Sequence, residues 1–92
     1  MPVMIPTAII EEGSVSQAVV SYTSQYPRFE DLWIALTWRI AREPNCGQVC
    51  RNGIHYILKS DSNLRQFGFP VITLMYRIEA DGLVVTNLLV VP

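Results

Sequence analysis

The hydrophobic pattern near the end of the chain is that of two β-strands joined by a tight turn. One β-rich run starts at Val71 and another ends at Val91, and the two flank Asp81 and Gly82. β-branched and aromatic residues interrupted by an Asp-Gly pair predict a β-hairpin. The second run is almost entirely apolar, which predicts a strand covered on both faces of a sheet.

Two helices are predicted upstream of this hairpin. In the first, Ser14 and Gln17 have the spacing of a capping box, which places the start of the helix at Ser14. The apolar residues that follow are spaced by four, three and four positions, so they share one helical face. They are Val15, Val19, Tyr22 and Tyr26.

The second helix is predicted to begin at Pro27, since proline at the first helical position loses no hydrogen bond. Its apolar stripe consists of Phe29, Leu32, Trp33, Leu36 and Ile40. Pro44 predicts the end of the helix, because the residue before a proline disfavours helical angles. Ile34 and Trp38 lie off the stripe, which predicts a second apolar face able to meet a partner.

Shorter β-signals complete the pattern. Val3 to Ile10 is predicted to be an edge or irregular strand, because two prolines restrict it. Asn52-Gly53 predicts a type I′ turn before a strand from Ile54 to Leu58, and Lys59 to Phe69 is predicted to be a loop. The order β-α-α-β-β-β predicts one α+β domain over residues 1–92, with two helices on a twisted antiparallel sheet.

Composition narrows the class of protein. Half of the 92 residues are hydrophobic and the net charge is −1, so the chain can fill a core but has no global field that attracts nucleic acid. No apolar run approaches the roughly 18 residues of a membrane span, and the N-terminus lacks the pattern of a signal peptide. We therefore expect a soluble cytoplasmic protein without membrane association.

Cys46 and Cys50 do not have zinc-site spacing, and we expect two reduced thiols and no metal or cofactor.

Four residues are candidates for chemistry, although no complete catalytic motif is present. His55 is either an ordinary half-buried strand residue or a general base or phosphate contact beside a cation. Arg77, in the first arm of the hairpin, faces either solvent or a concave site. Lys59 and Arg65 flank a predicted loop, where binding residues often lie. A basic patch would form if the fold brought together Arg51, Lys59, Arg65 and Arg77.

The order of these elements resembles the RelE/ParE superfamily of toxins from bacterial type II toxin–antitoxin modules. The resemblance covers residues 14–92. Five features carry it, in chain order. The first two are a long helix that ends in Trp38 to Pro44 and the glycine that follows at Gly47. The others are a strand with a basic end from Ile54 to Lys59, the Tyr76-Arg77-Ile78 arm, and an acidic-Gly turn before a final apolar strand.

The resemblance implies a small α+β domain that is bound by an antitoxin protein. RelE-like toxins cut messenger RNA at the ribosome without a metal ion, using basic residues on the sheet, whereas ParE-like toxins poison DNA gyrase. Carried onto this chain, it makes His55, Lys59, Arg65 and Arg77 the candidate catalytic residues, with the ribosome and messenger RNA as further partners. Ile34, Trp38 and the strand from Val3 to Ile10 would be the antitoxin contacts.

The chain departs from the RNase pattern at one position within the arm. RNase members carry an arginine three residues before the position of Tyr76, and here that residue is Thr73. Three interpretations therefore stay open beside an active RNase: a gyrase inhibitor, a non-catalytic interaction domain that forms a homodimer through its second helix, and a hydrolase that uses His55 with Lys59 or Arg65.

Overall fold

The computed structural model describes residues 8–92, and within them it forms an α+β domain, as predicted. In chain order, its elements are β1 (Ile9–Glu11), α1 (Gly13–Gln25), α2 (Phe29–Arg42), β2 (Gln48–Val49), β3 (His55–Lys59), a 3-10 helix (Ser62–Phe67), β4 (Val71–Glu79) and β5 (Gly82–Val91). The two-residue strand β2 and the 3-10 helix are additions to the predicted order. Most of the predicted strand from Val3 to Ile10 lies outside the described residues.

The five strands form one mixed sheet in the order β1-β5-β4-β3-β2. Strand β1 is parallel to β5, and the other neighbours are antiparallel. The prediction of a wholly antiparallel sheet was therefore wrong. Strand β1 is followed by helices rather than by a hairpin turn, and such a connection permits parallel pairing with a distant strand.

The predicted C-terminal hairpin is confirmed. Strands β4 and β5 pair along their length, with Glu79 opposite Gly82 and a register shift between Met75 and Tyr76. Both faces of β5 are buried only from Gly82 to Val85, and burial then alternates with exposure. The prediction of burial on both faces therefore holds only for the first four residues of the strand.

Gly82 marks a close approach between the hairpin and β1. Its φ is 153°, and a Cβ atom at this position would lie 2.5 Å from the backbone oxygen of Ala8. The same oxygen accepts a 2.8 Å hydrogen bond from the amide of Leu83. Glycine at this position therefore allows the parallel pairing of β1 with β5 to begin.

Both helices start at positions that differ from those predicted. Ser14 lies inside α1, because Glu12 still donates a 3.2 Å backbone bond to Val85 while its carbonyl accepts the first helical bond from Ser16. No side-chain bond caps this helix, so the capping-box prediction was wrong. Helix α2 begins at Phe29, two residues after Pro27, and ends at Arg42 just before Pro44 as predicted.

The core lies between the two helices and one face of the sheet. Its helical part is the predicted stripe, in which Phe29 and Ile40 are fully buried. The rings of Phe29 and Trp33 stack at 5.9 Å between centroids. The sheet contributes buried side chains from three strands, namely Leu58, Ile72, Leu74, Tyr76, Leu83, Val85 and Val90.

The turn at Asn52-Gly53 joins β2 to β3, but it is not of type I′. A type I′ turn needs positive φ at both central residues, and among residues 8–92 only glycines have positive φ. Gly53 has φ of 71° and donates a 3.0 Å bond to the carbonyl of Cys50. The Asn52 carboxamide oxygen instead accepts the amides of Ile54 and His55, which holds the turn in another form.

The predicted loop from Lys59 to Phe69 contains the 3-10 helix. Asp61 accepts a 2.9 Å bond from the amide of Asn63 at its start, and Gly68 ends it with φ of 85°. Within the described part of the chain, no helix combines the length and apolarity needed to cross a bilayer.

Candidate functional site

The face of the sheet that points away from the helices carries three of the four candidate residues. Side chains alternate between faces along a strand, so the residues between the buried core positions form this second face. We call it the open face and define it by Ile10, His55, Ile57, Lys59, Thr73, Met75, Arg77, Asn87 and Leu89. It combines basic, neutral polar and apolar side chains.

Strand register places the candidate residues in defined rows on the open face. His55 lies directly opposite Arg77, and Lys59 lies opposite Thr73. Side chains at directly opposed positions have Cβ atoms about 4.5–5.5 Å apart, so His55 and Arg77 are neighbours. His55 and Lys59 are four residues apart on one strand, which separates their Cα atoms by about 13 Å.

Arg77 is held by two carboxylates. Its Nε lies 2.5 Å from Glu79 Oε1 and its Nη1 lies 3.4 Å from Glu12 Oε1. The hydrogen bond to Glu79 raises the pKa of the Arg77 guanidinium, so this group stays charged. Its charge is largely balanced, however, and an incoming phosphate would have to compete with both carboxylates.

His55 is oriented by Asn52. Its Nδ1 lies 2.9 Å from the Asn52 amide nitrogen, while the Asn52 oxygen already accepts two backbone amides. The amide nitrogen of Asn52 must then be the donor, so Nδ1 of His55 accepts and the neutral ring carries its proton on Nε2. In this arrangement His55 can donate a hydrogen bond from Nε2 to an oxygen, which favours a contact role over that of a general base.

Lys59 is exposed at the end of β3, and residues 8–92 provide no ion-pair partner for it. Across β4, the open face continues to the exposed Leu89, opposite Thr73. Lys59 is therefore the cation on this face whose charge is available to a ligand, next to apolar surface.

Arg65 lies apart from the other three candidates. It belongs to the 3-10 helix and lines a shallow depression with Tyr26, Phe69 and Pro92. Tyr26 packs against the core from the helix layer, so this depression is on a different side of the molecule from the His55–Arg77 pair. The structure thus brings His55 and Arg77 together, places Lys59 on the same face, and leaves Arg65 elsewhere.

Tyr76, next to Arg77 in sequence, has a structural role in the core. Its hydroxyl donates a 2.6 Å bond to the carbonyl of Pro44 and accepts a 3.1 Å bond from the amide of Gly47. Burial raises the pKa of this hydroxyl to about 12. A Cβ on Gly47 would lie 2.9 Å from the Tyr76 oxygen, so only glycine leaves room for the contact. These bonds join the passage after α2 to the centre of the sheet.

The described residues offer no arrangement typical of a metal centre. No group of three or more His, Cys, Asp or Glu in residues 8–92 is placed to hold a metal ion. Cys46 and Cys50 are both free and half-buried.

No known protein family, curated protein or solved structure matches this chain.

Three residues that shape this site were missed by sequence reasoning. Glu79 is two positions from Arg77 on the same strand, so strand alternation could have paired them. Asn52 was assigned only to a turn, although Asx side chains in turns commonly bond nearby groups. Glu12 is 65 positions from Arg77, and the local sequence carries no signal of their contact.

Proposed function

We propose that this protein is a toxin-type domain of the RelE/ParE kind, which acts on a macromolecular partner through its open face. The observation that carries the proposal is the placement of His55, Arg77 and Lys59 together on the face of the sheet opposite both helices. A sheet with one face packed on helices leaves the other available for a ligand.

The side chains of the open face suit an anionic partner that also carries apolar or planar groups. Lys59 offers an ammonium group, and His55 offers a donor at Nε2. Between them on β3 lies Ile57, 37% exposed, opposite Met75. Cations beside apolar surface are suited to binding RNA, because the cations pair with phosphates and the apolar side chains pack against unstacked bases. In its catalytic form, the proposal is metal-independent cleavage of messenger RNA at the ribosome.

The same geometry favours a second candidate, a non-catalytic interaction domain. Arg77 is already bound by Glu79 and Glu12, and Arg65 is on another side of the molecule. Loss of a preorganised transition-state donor typically costs about 10²–10³ in rate. Thr73 also stands where RNase members carry an arginine. A non-catalytic interaction domain would use the open face for binding without accelerating RNA cleavage.

Controlled expression of the full chain in a bacterial host distinguishes these functions. The toxin proposal predicts growth arrest, and its RNase form predicts cuts in ribosome-bound messenger RNA at the A site. Arrest without cuts would instead indicate gyrase or another target. An unimpaired culture that contains folded protein would overturn the toxin proposal and favour the interaction domain.

The double substitution His55→Ala with Lys59→Ala tests whether the open face is responsible. We expect it to abolish arrest while changing the free energy of unfolding by no more than about 1 kcal/mol, since both side chains are at least partly exposed. Gln17→Ala removes an exposed polar side chain from α1 instead, away from the open face, and is the control. Equal arrest by the double variant would exclude the open face as the site.

A further inference from the structure

Helix α2 carries a row of four exposed residues on the side away from the sheet. Glu30, Ile34, Trp38 and Arg42 are spaced by four positions, so they form one continuous ridge along the helix. Ile34 is 47% exposed and Trp38 is 54% exposed. We call these four residues the α2 ridge.

Shallow grooves border the ridge on both sides. One lies between α1 and α2 beside Ile34, has a volume of about 370 Å³, and is lined by Val19, Val20 and Thr23 among others. Val20 is 70% exposed. The other lies beside Trp38 and is lined by the small side chain of Ala35 together with Arg39. Ridges that pack into such grooves are the usual means by which two helices associate.

The charges of the ridge are arranged in a self-complementary order. Glu30 is at one end, Arg42 is at the other, and the two apolar residues lie between them. Neither charge forms an ion pair within residues 8–92. When a second identical ridge is turned end for end, each Glu30 faces an Arg42, and each Ile34 faces a Trp38. A two-fold symmetric interface requires this kind of self-complementary surface.

We propose that the α2 ridge is the contact surface for a second copy of this chain, with the two α2 helices antiparallel. Trp38 of each copy packs beside Ile34 of the other, in the groove between α1 and α2. Two Glu30–Arg42 pairs at the rim fix the register. The helices lie on the side opposite the open face, so both open faces remain accessible in the dimer.

Sedimentation equilibrium of the full chain over a concentration series tests the proposal. One helix per copy gives an interface at the small end of the range, so we expect a monomer–dimer equilibrium with a dissociation constant on the order of micromolar. A chain that stays monomeric up to about 100 µM would overturn the proposal and leave the ridge to a partner of different sequence.

A charge swap tests the register. Glu30→Arg places arginine opposite Arg42, and Arg42→Glu places glutamate opposite Glu30, so each single substitution creates two like-charge contacts. We expect each to weaken dimerisation at least about tenfold. The double variant restores two opposite-charge pairs and should return to within about threefold of the natural chain.

The double variant also separates pairing from helix stability. Acidic residues favour the start of a helix and basic residues favour its end, so both substitutions oppose the α2 dipole and their effects on the monomer add. Recovery of the dimer in the double variant therefore cannot arise from a more stable fold. A double variant that dimerises no better than the singles would overturn the antiparallel register.

Trp38→Ala tests the apolar centre of the interface. A buried tryptophan is commonly a binding hot spot, and the dimer contains two copies, so we expect a loss of about 100-fold or more in affinity. Phe67→Ala is the matched control, since Phe67 is 59% exposed on the 3-10 helix and lies off the ridge. An equal loss in both variants, or in neither, would exclude the ridge as the interface.

Discussion

The side chain of Tyr76 joins three distant parts of the sequence, and its hydroxyl makes the hydrogen bonds. It donates to Pro44 and accepts from Gly47, while its ring stacks on Tyr56 at 5.4 Å. Pro44 and Gly47 belong to the passage after α2, and Tyr76 belongs to the hairpin arm. Two of the features that suggested the RelE/ParE resemblance therefore contact each other physically, and this contact serves the fold.

We expect Tyr76→Phe to lower the free energy of unfolding by about 1–3 kcal/mol. The substitution leaves the carbonyl of Pro44 and the amide of Gly47, both in half-buried residues, without their partner. Chemical denaturation measures the change. Tyr56→Phe is the control, because the hydroxyl of Tyr56 makes no hydrogen bond within residues 8–92, and it should shift stability by less than about 0.5 kcal/mol. Equal effects of the two substitutions would contradict the role of the hydroxyl.

Alkaline pH should destabilise the fold through the same hydroxyl. Burial raises the pKa of Tyr76 from 10.0 to about 12, so above pH 10 the unfolded chain loses this proton while the folded chain retains it. The folded state then binds more protons than the unfolded state, and stability falls as pH rises from 10 to 12. The shift corresponds to about 1–3 kcal/mol.

The alkaline effect is measured as the stability difference between the natural chain and Tyr76→Phe at a series of pH values. This difference isolates Tyr76 from the other tyrosines, which titrate in both proteins. It should be constant below pH 10 and shrink between pH 10 and pH 12. A constant difference across that range would show that Tyr76 does not carry the effect.

At the scale of elements, the features set by local periodicity could be predicted and those set by distant contacts could not. The stripe of α2 follows from the spacing of its apolar residues, and the hairpin of β4 and β5 follows from alternation and an Asp-Gly turn. The start of α1 does not follow from the local sequence pattern, because it depends on the backbone hydrogen bond between Glu12 and Val85. The parallel pairing of β1 with β5 likewise joins residues more than 70 positions apart.

The candidate site shows the same limit. His55 and Arg77 could be selected one by one from the sequence, but their pairing requires the register of β3 with β4. The carboxylate of Glu12 reaches Arg77 only because β1 lies beside β5. The type of a residue and the face of the strand on which it lies can be read from the local sequence. The charged side chains that lie beside it in the folded protein cannot. The sequence therefore indicated the basic residues without showing that Arg77 is already paired.

The molecule as a whole presents two chemically different surfaces on opposite sides. The open face carries His55, Lys59 and Met75, whereas the helix side carries the α2 ridge with Trp38. Because the core separates them, occupation of one surface leaves the other accessible. A domain of this form can associate with itself on the helix side while it binds another partner through the sheet.

Hydroxyl-radical footprinting across the dimerisation range tests this separation of surfaces. Trp38 and Met75 are both readily oxidised, and they lie on opposite sides of the molecule. As protein concentration rises, the oxidation rate of Trp38 should fall because the dimer covers it, whereas that of Met75 should stay constant. In Glu30→Arg, which weakens the dimer, Trp38 should remain oxidisable over the same range. Simultaneous protection of Met75 would show that the sheet takes part in self-association, and the open face could then not be free for another partner.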